Sequence, residues 1–138
     1  MNFKDVEIEG VTIRLYKLDV FKAKHILIEC APLLTSLAPL AKGGNADIKG
    51  AFDDLVSKLN EAKHDEIIFN GLLNSDHVKI VINGAEMPLI GKGDNGTRAI
   101  MNDNLNDLFV LYEIAYKSLQ YNFENFFKKG LNMTAIKI

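Results

Sequence analysis

The sequence predicts a mainly α, α+β domain: a helical domain with a small N-terminal β hairpin and a short central β segment. Three observations carry this expectation. From Leu105 to Phe127 apolar residues recur every three or four positions, the spacing of one face of a long helix. From Phe3 to Leu15 they alternate instead, on either side of Gly10, as strands do when one face is buried. Val78–Ile82 is a β-branched run that ends at Asn83-Gly84, a strong hairpin-turn signal.

The elements follow in order. Val6, Ile8, Val11, Ile13 and Leu15 define two short strands that meet at Gly10. Asp19 is placed to cap a helix, because its carboxylate can accept from the free amides of a first turn. Val20, Ala23, Leu27, Cys30 and Ala31 then recur at helical spacing until Pro32 breaks or kinks the run, since an interior proline removes a hydrogen bond and crowds the preceding turn. A further short helical segment is expected over Leu33–Leu40, ended by Pro39 and Lys42-Gly43-Gly44-Asn45. Asp47 or Gly50 opens the next helix, with Phe52, Leu55, Val56 and Leu59 as its stripe. After a break near Asn60–Lys63, Asp65 and Glu66 lead into Ile67, Ile68, Gly71, Leu72 and Leu73, with acid where the helix dipole is positive. Met87–Ile90 would return beside Val78–Ile82, and Gly91–Gly96 reads as a flexible loop. Asp103 or Asn104 caps the long closing helix, Lys128 and Lys129 suit its last turn, and Gly130 stands where a helix ends. Residues 1–130 are thus expected to form one domain, and 131–138 a flexible tail.

At 138 residues the chain is long enough to bury a core without disulfides or metal. Hydrophobic residues are 48% and charged residues 25% of it, and the net charge is -2. That balance provides no basic field for nucleic acid or an anionic membrane. Arg14 and Arg98 are the only arginines, which further disfavours a specific nucleic-acid reader. No apolar run approaches the roughly 20 residues that span a bilayer. Cys30 is the single cysteine, so no disulfide can form within the chain, which fits a reducing compartment. The opening MNFKDVEIEG carries acid where a signal peptide needs an apolar core. The expected location is therefore a cytoplasm.

No chemistry-bearing constellation is compelling. Gly91-x-Gly93-x-x-Gly96 has the letters of a dinucleotide-binding turn. The physics of that turn requires a strand before it, a long helix from its third glycine and a second strand with an acid after it, whereas the next helix here starts only after Asn102. His25, His64 and His77 show no metal-ligand spacing. His64, Asp65 and His77 could meet in space, though nothing in their spacing demands it. Cys30 lies on or beside an apolar stripe, the place of a small core residue rather than a reactive thiolate. Asp53-Asp54 and Asp65-Glu66 read as solvated carboxylates. No catalytic residue, cofactor or metal is expected. The remaining feature is aromatic: half of the phenylalanines and three of the four tyrosines lie between Phe109 and Phe127. Part of this must be core. Tyr121, Phe123, Phe126 and Phe127, however, crowd one end on more than one face, and aromatic residues dominate the affinity of many interfaces. With Tyr116, these are the candidate partner-binding residues.

Several stretches, taken in order, carry a family resemblance: Val11-Thr12-Ile13-Arg14-Leu15; Leu18-Asp19-Val20-Phe21-Lys22-Ala23, running into Ala31-Pro32-Leu33-Leu34; Asp65–Leu73 before Val78-Lys79-Ile80; and the closing Leu119-Gln120-Tyr121-Asn122-Phe123-Glu124-Asn125-Phe126-Phe127. In these the chain resembles the tail assembly chaperones of long-tailed bacteriophages, whose closing "NF..FF" pattern the last stretch is most similar to. The resemblance covers about Val11 to Phe127. It implies a non-enzymatic protein that binds the tape measure protein, the tail tube protein or both during assembly and is absent from the finished virion. A tape measure protein is a long helical chain with apolar stripes, and a helical domain could cover them in a groove. The resemblance also implies a longer product made by frameshifting near Lys128-Lys129-Gly130, and it leaves self-association open. The competing readings are a tail or head-tail joining subunit that stays in the particle, and a nucleotide-binding protein using the Gly91 loop.

Overall fold

The computed structural model describes the backbone of residues 2–29 and 56–137, with side chains up to Asn122 except those of Leu27 and Glu29. The expected segment Leu33–Leu40, most of the helix expected to open at Asp47 or Gly50, and Cys30 and Pro32 lie outside the described residues.

Strands β1 (Phe3–Ile8) and β2 (Val11–Tyr16) pair antiparallel with Ile8 opposite Val11. The two linking residues, Glu9 and Gly10, both have positive φ, at 52° and 73°. This is the backbone of a primed two-residue turn, whose twist matches that of the strands it joins. The same device joins β3 (Val78–Ile82) to β4 (Ala85–Pro88) through Asn83 and Gly84. β2 pairs with β3, with Ile13 opposite Ile80 and Leu15 opposite Val78. The result is one four-stranded antiparallel sheet in the order β1-β2-β3-β4. Alternation puts Ile8, Val11, Ile13, Leu15, Val78 and Ile80 on a buried face.

β5 (Ile90–Lys92) and β6 (Arg98–Ile100) form a second, two-stranded sheet. Gly91 lies within β5, and the chain turns between Lys92 and Arg98, where Gly93 N–H donates to Thr97 C=O at 2.7 Å. The expectation of a mainly α domain with only a small hairpin and a short β segment is therefore corrected. The N-terminal and central strands are halves of one sheet, and the supposed loop is a second hairpin. The reason is physical. β2–β3 pairing is a contact between distant segments and leaves no mark on local periodicity, and strands of only three residues, one with glycine at its centre, carry little strand propensity.

Three helices accompany the sheets among the described residues. In α1 (Val20–Glu29) the expected cap is present: Asp19 Oδ1 accepts from Phe21 N at 2.8 Å and Lys22 N at 3.1 Å. Helix α2 runs Glu61–Leu72. Asn60 caps it by accepting from Lys63 N–H, and from Asp65 onward it widens into π-helical turns. At its end Leu73 N–H reaches five residues back to Ile68 C=O. Its buried residues are Ile67, Ile68, Gly71 and Leu72.

Helix α3 runs Leu108–Lys137, about 45 Å at 1.5 Å per residue. Its cap is Asp107 rather than Asp103 or Asn104: Asp107 Oδ1 accepts from Phe109 N at 2.9 Å and Val110 N at 3.2 Å. Asp103–Leu105 form a separate single turn capped by Asn102. Asp103, Asn104 and Asp107 are similar N-cap types, and only the path of the chain selects among them. Gly130 lies inside the α3 backbone, not at its end. The buried stripe of α3 is Val110, Leu111, Ile114, Ala115, Ser118 and Leu119, which joins the core of sheet and α2 residues. No helix among the described residues is long and apolar enough to cross a membrane.

Candidate functional site

The aromatic positions on α3 separate into groups. Phe109, the first of the stripe, is 84% exposed, and its neighbour Leu108 is also exposed. Tyr112 is half-buried, and its hydroxyl shares a 2.7 Å hydrogen bond with His64 Nε2 on α2. Tyr116 and Tyr121 are half-buried against the core. The Tyr121 ring carries the Lys17 ammonium 4.0 Å from its centroid, and Lys17 Nζ also donates to the Tyr121 carbonyl. Asn122 Oδ1 accepts from Leu18 N–H at 2.7 Å, while its Nδ2 donates to Ser118 C=O at 2.9 Å. Phe123, Phe126 and Phe127 stand on the helical backbone of α3, and their side chains lie outside the described residues. Of the candidate partner-binding residues, the structure thus seats Tyr116 and Tyr121 beside the core and places the other three on the continuation of the same helix.

A second apolar surface was not singled out from the sequence. On α1, Val20, Phe21 and Ile28 are 72%, 77% and 57% exposed. Helical spacing predicts a stripe there but cannot say which part of it is covered.

The polar candidates resolve into surface pairs. His25 Nε2 meets Glu66 at 2.9 Å, and this hydrogen bond holds the Glu66 carboxyl below its ordinary range. Arg98 pairs with Asp65 at 3.0 Å and lies over the Phe69 ring. Asp65, Glu66, Phe69 and Arg98 line an open cleft of about 1010 Å³ together with Asn60, Glu61 and His64. Among the described residues no three His, Cys, Asp or Glu side chains converge as a metal site would need. Gly91 lies in β5, and Gly93 and Gly96 lie in the turn that leads to β6, so the third glycine opens no helix and the dinucleotide geometry is absent. Cys30, Asp53 and Asp54 lie outside the described residues.

The outer face of the four-stranded sheet holds a polar hub. Arg14 binds Asp5 through two bonds of 2.9 and 3.1 Å and Glu86 through one of 3.1 Å. Its guanidinium lies 4.0 Å from the Phe3 ring centroid, and Tyr16 hydroxyl donates to Glu86. The hydrogen bond from Arg14 lowers the Asp5 pKa, and those from Tyr16 and then Arg14 lower that of Glu86. A lowered carboxylate pKa means that the folded state holds fewer protons than the unfolded one as the carboxylates titrate. The resulting stability is complete above the ordinary carboxylate range and is lost as pH falls through it. The melting temperature should therefore fall between about pH 5 and pH 3, and less steeply in Arg14→Met. Equal slopes in parallel melts would show that the hub contributes nothing.

In class, then, this is a small α+β domain: an antiparallel sheet with one face buried under helices, and exposed apolar side chains on α1 and at the start of α3. The family model described as "Phage tail assembly chaperone protein, TAC" matches residues 9–134, and the chain belongs to that family. Comparison with curated proteins and with solved structures found no match.

Proposed function

We propose that this chaperone acts without catalysis by binding the tape measure protein, the tail tube protein or both while the tail is assembled. It does so in the host cytoplasm and leaves before the virion is complete. The observation that carries this reading is the family match, which extends over α3 to residue 134 and so includes the whole aromatic end of the helix. The binding surface proposed is Tyr116, Tyr121, Phe123, Phe126 and Phe127, on a domain of residues 1–130. A partner helix with an apolar stripe would bury those rings, and aromatic anchors at the centre of such contacts each contribute on the order of 2 kcal/mol or more.

The test is Phe126→Ala combined with Phe127→Ala. The helical circular dichroism should remain and capture of tape measure or tube protein should weaken at least about tenfold, the equivalent of ~1.4 kcal/mol. Unfolding of the double variant would make the two rings core. Unchanged capture would move the interface elsewhere. Abundant chain in purified mature tails, by mass spectrometry, would overturn the departure step.

A further inference from the structure

We propose that Asn122, with Lys17, is the latch that sets the direction of the aromatic end of α3, and is thus a positioning residue for partner binding. Lys17-Leu18 connects the end of β2 to the cap of α1 and lies 104 residues from Tyr121-Asn122. Here β2 has left its sheet and α1 has not begun, so Leu18 N–H has no place in either backbone pattern. Leu18 is buried, and a buried amide without a partner is costly. Asn122 Oδ1 satisfies it at 2.7 Å. The other end of the same amide donates to Ser118 C=O at 2.9 Å and reaches Ser118 Oγ at 3.4 Å. This second bond holds the side chain in one rotamer on its own helix, and Ser118 is itself 1% exposed. Carboxamides combine an acceptor and a donor on one planar group. Asparagine has the reach that this geometry uses.

Lys17 adds a second grip. Its ammonium donates to the Tyr121 carbonyl and covers the Tyr121 ring. Adjacent residues of one connector therefore hold adjacent residues of the helix. The position is informative. Leu119 is the last of the buried stripe among the described residues, and the latch follows within one turn. Phe127 lies five residues further on, about 7.5 Å along the axis at 1.5 Å per residue. A helix held only by its apolar stripe can rock about that stripe, whereas hydrogen bonds to a fixed connector give it a single orientation.

The inference rests on the partner surface proposed above only for its functional consequence. Its first test needs no partner. Amide hydrogen exchange is measured across α3 in Asn122→Ala, Asn122→Asp and Lys17→Met. In Asn122→Ala the amides of residues 120–129 should exchange at least about tenfold faster while those of 110–118 keep their protection. Asn122→Asp retains the acceptor for Leu18 N–H but loses the donor to Ser118 C=O, so it should recover only part of the effect. Lys17→Met should show a smaller change of the same kind, which keeps the test usable if Asn122→Ala does not fold. Unchanged exchange over residues 120–129 in both Asn122→Ala and Lys17→Met would overturn the latch. Capture of tape measure or tube protein is then measured for the same variants. A loss of at least about fivefold in Asn122→Ala, smaller in Asn122→Asp, is expected, and faster exchange with unchanged capture would overturn the positioning role. If Phe126→Ala with Phe127→Ala leaves capture intact while exchange responds as expected, the latch stands and only the partner surface is wrong.

Discussion

Replacing Ile80 with alanine is expected to cost about 3–4 kcal/mol of stability and to lower the melting temperature by on the order of 10 °C. Ile80 is fully buried in β3, between β2 and β4, where it stands opposite Ile13 on one side and Met87 on the other. The substitution deletes apolar volume where the sheet meets the helices, and a paired strand cannot move inward to close the gap. A single domain has about 5–15 kcal/mol in total, so the loss is a large share. Val81 is the internal control, because it sits on the opposite face of the same strand and is only half-buried. Val81→Ala should cost less than half as much. Urea unfolding of the two variants in parallel measures the difference. Similar losses would mean that the two faces of β3 are not distinguished as described.

The second large effect is expected at Gly71. A Cβ there would lie 2.9 Å from Ile26 Cδ1 and 3.2 Å from the Glu66 carbonyl oxygen. The first atom ends a flexible side chain, so alanine can be admitted by a small shift of Ile26. Alanine also gains about 1 kcal/mol of helix propensity over glycine. Gly71→Ala should therefore change stability little. Valine would add two branches against a buried isoleucine and a backbone carbonyl that cannot retreat. Gly71→Val should cost about 2–3 kcal/mol, and it should loosen α1, because Ile26 is a fully seated core residue of that helix. Thermal melts of both variants check this. A tolerated valine would show that α1 and α2 do not approach as closely as the structure places them.

The Arg14 hub illustrates how far pattern alone reaches. Once Glu9-Gly10 is taken as a two-residue turn, Asp5 must face Arg14, because the register counts outward from Ile8 opposite Val11. Half of the hub was therefore legible. Glu86 was not, since it arrives from β4 only after β3 has joined β2. The aromatic stripe behaves similarly. Its three- and four-residue spacing identified α3, but the first aromatic, Phe109, points to solvent while Ser118 is buried. Periodicity ranks the faces of a helix by composition, whereas burial depends on what the rest of the chain lays against each face.

What the sequence determined by itself is local: the Asp19 cap, the turns at Glu9-Gly10 and Asn83-Gly84, the alternation of the strands, the amphipathic run of α3 and the closing Asn122-Phe123 stretch that carries the family pattern. Each is written within a few residues, because caps, turns and side-chain periods arise from groups one helical turn or one strand pair apart. The tertiary structure alone decided that two sets of strands make one sheet, that Asp107 rather than Asp103 opens α3, that α2 widens into π-helical turns under Ile26, and that Lys17-Leu18 holds Tyr121-Asn122. These depend on segments tens of residues apart meeting in space. Neither partner's neighbourhood records that meeting, because the free energy that favours it comes from burial and hydrogen bonding shared between the segments.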